Sequence, residues 1–157
     1  MRSKLEYVRL IEFPACRMVT SGIGFFGDEN FTRFEKMLEE EDGKYPYPQD
    51  FLTGNAHGME WLCLYRDGMD TLGMNVIDFP GGLYAVVCGI DAQSNAEEMR
   101  AVTEFMETHG LVRDDSRPDM GHIIGSLETQ AVLGYEQMDY FTPVKLKERY
   151  RTMEITT

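Results

Sequence analysis

Positive charge is scarce in this chain: 15 Lys and Arg residues stand against 27 Asp and Glu, a formal net charge of −12. Contacts to nucleic-acid phosphates need clustered Lys and Arg, so this deficit argues against a general DNA- or RNA-binding surface. An acidic surface modestly favours cationic ligands or basic partners, although its commonest role is solubility. The sequence therefore predicts no direct nucleic-acid partner.

The sequence also lacks the spacings of disulfide, metal and catalytic motifs. Its three cysteines, Cys16, Cys63 and Cys88, are widely separated and form no C-x-x-C, which is typical of buried apolar residues in a reducing compartment. The three histidines show no zinc-ligand spacing. No phosphate-binding glycine motif, nucleophile elbow or triad signature occurs. We therefore predict no cofactor and no metal, and leave catalysis open.

Long hydrophobic runs are missing as well. No stretch approaches the roughly 20 apolar residues that span a bilayer, and the first residues lack the apolar core and cleavage site of a signal peptide. We expect a cytoplasmic protein without a membrane partner. A length of 157 residues with 43% hydrophobic content predicts one folded domain, residues 1–157.

What the chain does have is a strong structural nucleus at residues 78–91, DFPGGLYAVVCGID. Its Pro-Gly-Gly segment predicts a turn with positive φ at Gly81 and Gly82, and residues 83–87 predict a buried strand. Ser94 and Glu97 follow in the capping-box pattern, which predicts the start of a helix.

Two predicted helices carry matching apolar faces. One begins after Asp28 and the other covers residues 95–109, and their apolar positions lie 68 apart: Phe31, Phe34, Met37 and Leu38, then Met99, Val102, Phe105 and Met106. The preceding strands match at a shift of 67, residues 16–22 against 83–89. We infer an α+β fold of two β-α-β-β halves, about 5–78 and 79–146, that share an antiparallel sheet and leave a pocket at the pseudo-twofold seam.

The remaining segments predict further strands and loops. Residues 59–66 and 72–77 predict a hairpin about Asp67-Gly68, whereas residues 44–58 predict a loop whose aromatic residues either cover a core edge or form a lid. Other predicted strands are 7–11, 16–20, 122–126 and 135–145, with a polar loop at 112–120. Pro143 indicates a sheet edge or the last paired residues of its strand.

At this point two stretches, FPGGLYAVV before a capped helix and YEQMDYFTPVKLK near the end, resemble the GyrI-like effector-binding domain family. The resemblance rests on Gly82, Leu83, Tyr84 and Ala85 as the G-x-Y-A strand, and on the Pro143-Val144-Lys145 ending. It covers residues 15 to 146 and implies the same duplicated fold. Members occur as ligand-sensing parts of bacterial AraC- and MerR-type multidrug regulators and as single domains; the absence of a helix-turn-helix segment favours a stand-alone binder.

The resemblance further implies an aromatic pocket, often with a buried acid, for bulky hydrophobic and often cationic compounds. Many members carry the acid in a Phe-Glu-x-Tyr stretch, where this chain reads GHIIGSLE. We rank Glu136 first for that role because it shares a strand face with Tyr140; Glu60 and Glu128 are the alternatives. The predicted ligand-binding residues are Trp61, Tyr65, Tyr84, Glu136 and Tyr140, although core packing is the commoner role of a single aromatic residue.

Three functions remain open on this basis. The first is a small-molecule-binding protein that senses or sequesters hydrophobic, cationic compounds, and we favour it. The second is a hydrolase of cyclopropane-bearing toxins, as some family members are, with a Glu as general base. The third is an interaction protein of the gyrase-inhibitor type. A homodimer or another protein partner is left open.

Overall fold

The computed structural model describes residues 7–41, 44, 49–125 and 127–148. These residues form an α+β fold with an antiparallel, curled sheet, which confirms the predicted fold class. Their elements, in chain order, are β1 (Arg9–Phe13), β2 (Cys16–Gly24), α1 (Glu29–Glu41), β3 (Asp50–Asn55), β4 (Gly58–Leu64), β5 (Asn75–Phe79), β6 (Gly82–Ile90), α2 (Ala96–Thr108), β7 (Leu111–Arg113), β8 (Met120–Ile124), α3 (Leu127–Leu133) and β9 (Gln137–Leu146).

The strand order shows the duplication directly. The described strands lie in the order β1-β6-β9-β8-β3-β4-β2-β5, and β7 pairs with β9. Corresponding strands of the two halves lie at equal distances from the two ends of this order: β1 corresponds to β5, β6 to β2, β9 to β4 and β8 to β3. One main helix follows β2 and the other follows β6. The two β-α-β-β halves therefore share one sheet, with β8 and β3 meeting at the centre.

Both main helices pack on one face of the sheet, which we call the outer face. Phe34 of α1 packs with Val19 and Cys63, while Val102 of α2 packs with Ala85 and other outer-face residues. A single apolar cluster covers the opposite face, which we call the inner face. Because side chains alternate along a strand, each strand supplies residues to both faces.

The sheet curls so far that its two edges meet. Phe13 of β1 and Phe79 of β5 belong to opposite ends of the strand order, yet their ring centroids are 5.4 Å apart. In a flat sheet of this order, seven strand spacings would separate them by roughly 34 Å. The inner face is therefore wrapped around its own aromatic side chains.

The repeat predicted for the strands is one residue out of register. Met18 and Tyr84 lie in the inner cluster, whereas Val19 and Ala85 lie on the outer face, so the strands correspond at a shift of 66 and not 67. The element bounds, Cys16–Gly24 and Gly82–Ile90, agree with this shift. A shift of one residue moves every side chain of a strand to the opposite face of the sheet. Because β2 and β6 carry apolar residues on both faces, the sequence pattern did not distinguish a shift of 66 from one of 67.

Several local predictions are wrong. The strands β4 and β5 do not form a hairpin; they flank β2, one on each side. The predicted loop 44–58 contains β3, and its Tyr45 and Tyr47 lie outside the described residues. The capping box is not formed, because Asn95 is the N-cap of α2 and makes no side-chain capping bond. The strand β7 and the helix α3 were not predicted.

Other local predictions are confirmed. Gly81 and Gly82 have φ of 68° and 126°. Pro143 forms the last pair of β6 and β9, opposite Tyr84. The longest helices of the described residues have 13 residues, and none of the described helices is long and apolar enough to cross a membrane.

Candidate ligand-binding face

The inner face is dominated by aromatic rings gathered around Phe13. The rings of Phe51, Phe79, Tyr84 and Phe141 lie with their centroids 5.4, 5.4, 6.1 and 6.4 Å from that of Phe13, each in an edge-on arrangement. Offset and edge-on contacts at such distances are the favoured geometries of aromatic pairs. Phe13 is half-buried, and its strand β1 pairs with β6 alone among the described strands. Phe51, Phe79, Tyr84 and Phe141 are buried, so Phe13 is the partly exposed ring of this group.

Tyr84 lies at one end of this cluster and is fully buried. The guanidinium carbon of Arg117 lies 4.5 Å from the centre of its ring, a cation–π contact. The Tyr84 Oη atom is buried, and among the described residues no hydrogen bond of standard geometry reaches it. Burial raises the pKa of Tyr84 above its ordinary value, and the nearby Arg117 opposes that rise.

Glu60 supplies a carboxylate to the inner face. It lies two residues before Leu62, a member of the inner cluster, on the same side of β4. The buried Thr20 donates a 2.5 Å hydrogen bond from Oγ1 to Glu60 Oε2. Gly22 donates its N–H to the same Thr20 Oγ1 at 2.9 Å, so the hydroxyl proton is directed at the carboxylate.

Asp139 supplies the second carboxylate, at the position of β9 that corresponds to Glu60 in β4. Its side chain is 13% exposed, and Arg9 donates to Oδ2 at 3.1 Å. The Oδ1 atom is buried and accepts no hydrogen bond from a described residue. His122 of β8 stands opposite Asp139, stacks on Phe51 with centroids 4.8 Å apart, and donates from Nδ1 to the carbonyl oxygen of Asp50.

Trp61 and Tyr65, two of the predicted site residues, lie on the outer face beneath α1. The indole ring stacks on Phe34 with centroids 5.0 Å apart, and Nε1 donates a 2.9 Å hydrogen bond to Asp50 Oδ2. Tyr65 packs in the same cluster, and the Arg17 guanidinium lies 4.6 Å from its ring centre. Both residues are placed as parts of a helix–sheet core.

Tyr140 and Glu136 also lie away from the inner cluster. Tyr140 packs on the outer face beneath α2. Burial, followed by the nearby Asp91, Glu98 and Cys88, raises its pKa. Burial and then Asp91 raise the pKa of Glu136, which precedes β9.

The structure therefore divides four of the five predicted residues among three clusters, of which only Tyr84 belongs to the inner one, and places Glu136 in the segment before β9. Their binding of a ligand stays a prediction. Of the two alternative acids, Glu60 lies on the inner face and Glu128 is exposed on α3. Sequence reasoning missed Phe13 and Asp139; alternation along β9, where Asp139 shares a face with Phe141 and not with Tyr140, was the available signal.

The fold is shared with solved structures. A hydrolase from Listeria innocua is 15% identical, with a TM-score of 0.62 over 92% of this chain and 94% of its own. An uncharacterized conserved protein from the same organism is 15% identical, with a TM-score of 0.62 over 88% and 92%. The EcmrR C-terminal domain is 11% identical, with a TM-score of 0.61 over 89% and 98%.

No protein-family model and no curated protein sequence matches the chain. At identities of 11–15% the structural likeness concerns the fold alone. That fold is compatible with the GyrI-like fold that the sequence motifs implied. The chain thus has an α+β fold in common with these three proteins, over nearly the whole length of each.

Proposed function

We propose that this protein binds a bulky hydrophobic, cationic small molecule on its inner face and thereby senses or sequesters it. The observation that carries this proposal is the pair of carboxylates, Glu60 and Asp139, at corresponding positions of β4 and β9 on one aromatic face. Each acid is held at the apolar cluster by one polar partner, Glu60 by Thr20 and Asp139 by Arg9, which offsets part of the free-energy cost of partly burying a carboxylate.

The chemistry of the face suits an organic cation. Aromatic rings attract a cation through their π faces, by roughly 0.5–2 kcal/mol each depending on desolvation. Asp139 Oδ1 accepts no hydrogen bond from a described residue. In Glu60, Oε2 is the oxygen that accepts the hydrogen bond from Thr20. Both carboxylates can therefore accept a further charge-assisted contact without losing the bonds that orient them.

Binding requires a ring to move, because the aromatic side chains fill the inner face in this structure. Phe13 is the side chain we assign to this movement, since it is half-buried and stands at the end of a strand with one described neighbour. A ligand ring in its place would contact Phe51, Phe79, Tyr84 and Phe141.

The test is calorimetric titration with an aromatic quaternary ammonium compound and with an uncharged analogue of the same shape. Glu60→Gln and Asp139→Asn should each weaken the cation about fivefold to tenfold, and should leave the neutral analogue unchanged. Glu97→Gln, which alters an exposed acid of α2, is the matched control. Absence of saturable binding to the folded wild type, or equal weakening of both compounds, would overturn the proposal.

A hydrolase is the second candidate, favoured by the geometry of Glu60. Its carboxylate is held by Thr20 beside the apolar cluster of the inner face, where a general base for water would act. A structural neighbour described as a hydrolase has the same fold. Incubation with cyclopropane-bearing electrophiles distinguishes the two functions: turnover that Glu60→Gln abolishes supports hydrolysis, and saturable binding with the compound recovered intact supports the binder.

A further inference from the structure

A second concave site lies at the end of the sheet, outside the inner cluster. It is a cleft of about 430 Å³ whose floor is the Pro80-Gly81-Gly82 turn. Leu83 and Val144 form one wall, so the two sequence stretches that resemble the GyrI-like family meet here. Tyr84 does not line this cleft, because its side chain points to the inner face behind Arg117.

Arg117 forms the inner wall of the cleft and is only 8% exposed. It donates from Nη2 to the carbonyl oxygens of Leu83 and Val144, at 2.9 and 3.0 Å, and from Nε to Asp114 at 3.2 Å. Its Nη1 atom is buried and finds no partner among the described residues. Gly82 leaves the space for this guanidinium, since a Cβ there would lie 2.7 Å from it.

Lys145 gives the cleft a surplus positive charge. Asp114 offsets Arg117, and in the described part of the chain no hydrogen bond or ion pair involves Lys145 Nζ. The neighbouring Arg113 lies outside the lining and is already paired with two acids, Asp115 and Asp119. The charged residues of the lining, Asp114, Arg117 and Lys145, therefore sum to one net positive charge, whereas the whole chain has a formal net charge of −12.

The lining also has an apolar part. Pro80, Leu83 and Leu146 are apolar and at least partly exposed, whereas Val144 is only 1% exposed and Ser116 is polar. A volume of about 430 Å³ lies within the range of small-molecule sites. A ligand that satisfies both parts of the lining has an anionic head and a short apolar body.

We propose that this cleft binds a small amphipathic carboxylate, with its head group on Lys145 and its hydrocarbon against Leu83 and Leu146. The buried Arg117 lies in the inner wall, where Asp114 offsets its charge and its hydrogen bonds to Leu83 and Val144 fix the ends of β6 and β9. The site takes the opposite charge to the inner face, so the two sites would bind different ligands at once.

The experiment is calorimetric titration of the wild-type protein with octanoate, octylammonium and octanol. We expect saturable binding of octanoate that is tighter than that of octanol, and no binding of octylammonium that depends on Lys145. Lys145→Met keeps the side-chain stem and removes the charge, so it should weaken octanoate about tenfold. Lys145→Arg should retain the binding. Lys147→Met is the matched control, since Lys147 follows closely and does not line the cleft.

Two results would overturn the proposal: octanoate that fails to saturate the folded wild type, or equal weakening by Lys145→Met and Lys147→Met. Glu60→Gln separates this site from the inner face. It should leave octanoate binding unchanged, and a loss of octanoate in that variant would place the ligand on the inner face. The cation titration of the inner face succeeds or fails independently of these results.

Discussion

Gly81 lies directly against the main-chain carbonyl oxygen of Phe13. A Cβ at Gly81 would also approach the Ala15 nitrogen and the Pro14 carbonyl carbon to 2.7 Å. The link from β1 to β2 therefore crosses the link from β5 to β6 with no room for a side chain. This crossing brings the two edges of the curled sheet together and places Phe13 in the inner cluster.

We expect Gly81→Ala to lower the free energy of unfolding by about 3 kcal/mol or more, because it combines left-handed backbone strain with a main-chain clash. Gly73→Ala is the matched control: its φ is 79°, compared with 68° at Gly81, but nothing lies within 4 Å of the added Cβ. The control should lose only about 1 kcal/mol. Urea denaturation measures both, and similar losses would contradict the crossing.

Trp61→Ala should destabilise the protein by about 3–5 kcal/mol, because it removes a ring that stacks on Phe34 and hydrogen-bonds to Asp50. Phe25→Ala, at a ring that is 55% exposed, should change stability by less than about 0.5 kcal/mol. Thermal or urea unfolding gives both values. If Trp61→Ala left stability intact and abolished cation binding, the direct ligand contact predicted for Trp61 from the sequence would hold.

Asn30→Ala should cost about 1–3 kcal/mol, because Asn30 Nδ2 donates to the carbonyl oxygens of Ser21 and Ile23 at a break in the pairing of β2. Asn95→Ala is a suitable comparison, since Asn95 makes no side-chain capping bond at α2. Its effect should stay near zero. Amide hydrogen exchange of β2 would show whether the loss in Asn30→Ala begins at this irregularity.

Asp114 makes stability depend on acid pH. Ser116 donates to Asp114 from its hydroxyl at 2.6 Å and its N–H at 3.1 Å, and together with Arg117 these contacts lower the pKa of Asp114 from 3.8 to about 2. A carboxyl group whose pKa is lower in the folded state stabilises the protein above its unfolded pKa. That contribution is lost as the pH falls from about 4 to about 2.

The difference in unfolding free energy between the wild type and Asp114→Asn should therefore shrink over this pH range. Carboxyl NMR titration of Asp114 gives the pKa itself, and Ser116→Ala should move it back toward 3.8. A pKa of Asp114 near 3.8 in the wild type would show that the hydrogen bonds from Ser116 do not lower that pKa.

The sequence was sufficient for the class of fold because that class depends on local patterns. Apolar residues at helical spacing from Phe31 to Leu38 and from Met99 to Met106 defined both main helices, which pack on the sheet as the repeat implied. The Gly81-Gly82 turn could be predicted because glycine adopts positive φ more readily than other residues. The duplication could be predicted because both halves have the same order of strands and helix along the chain.

Strand partners and faces were decided only by the tertiary structure. The strand β5 follows β4 with a turn between them, yet it pairs with β2 because β2 offers an open edge on that side. Trp61 and Glu60 are neighbours in sequence and lie on opposite faces, since side chains alternate along β4. The family resemblance implied that aromatic and acidic residues would meet. Which of them meet depends on register, and register is set by contacts between strands far apart in the chain.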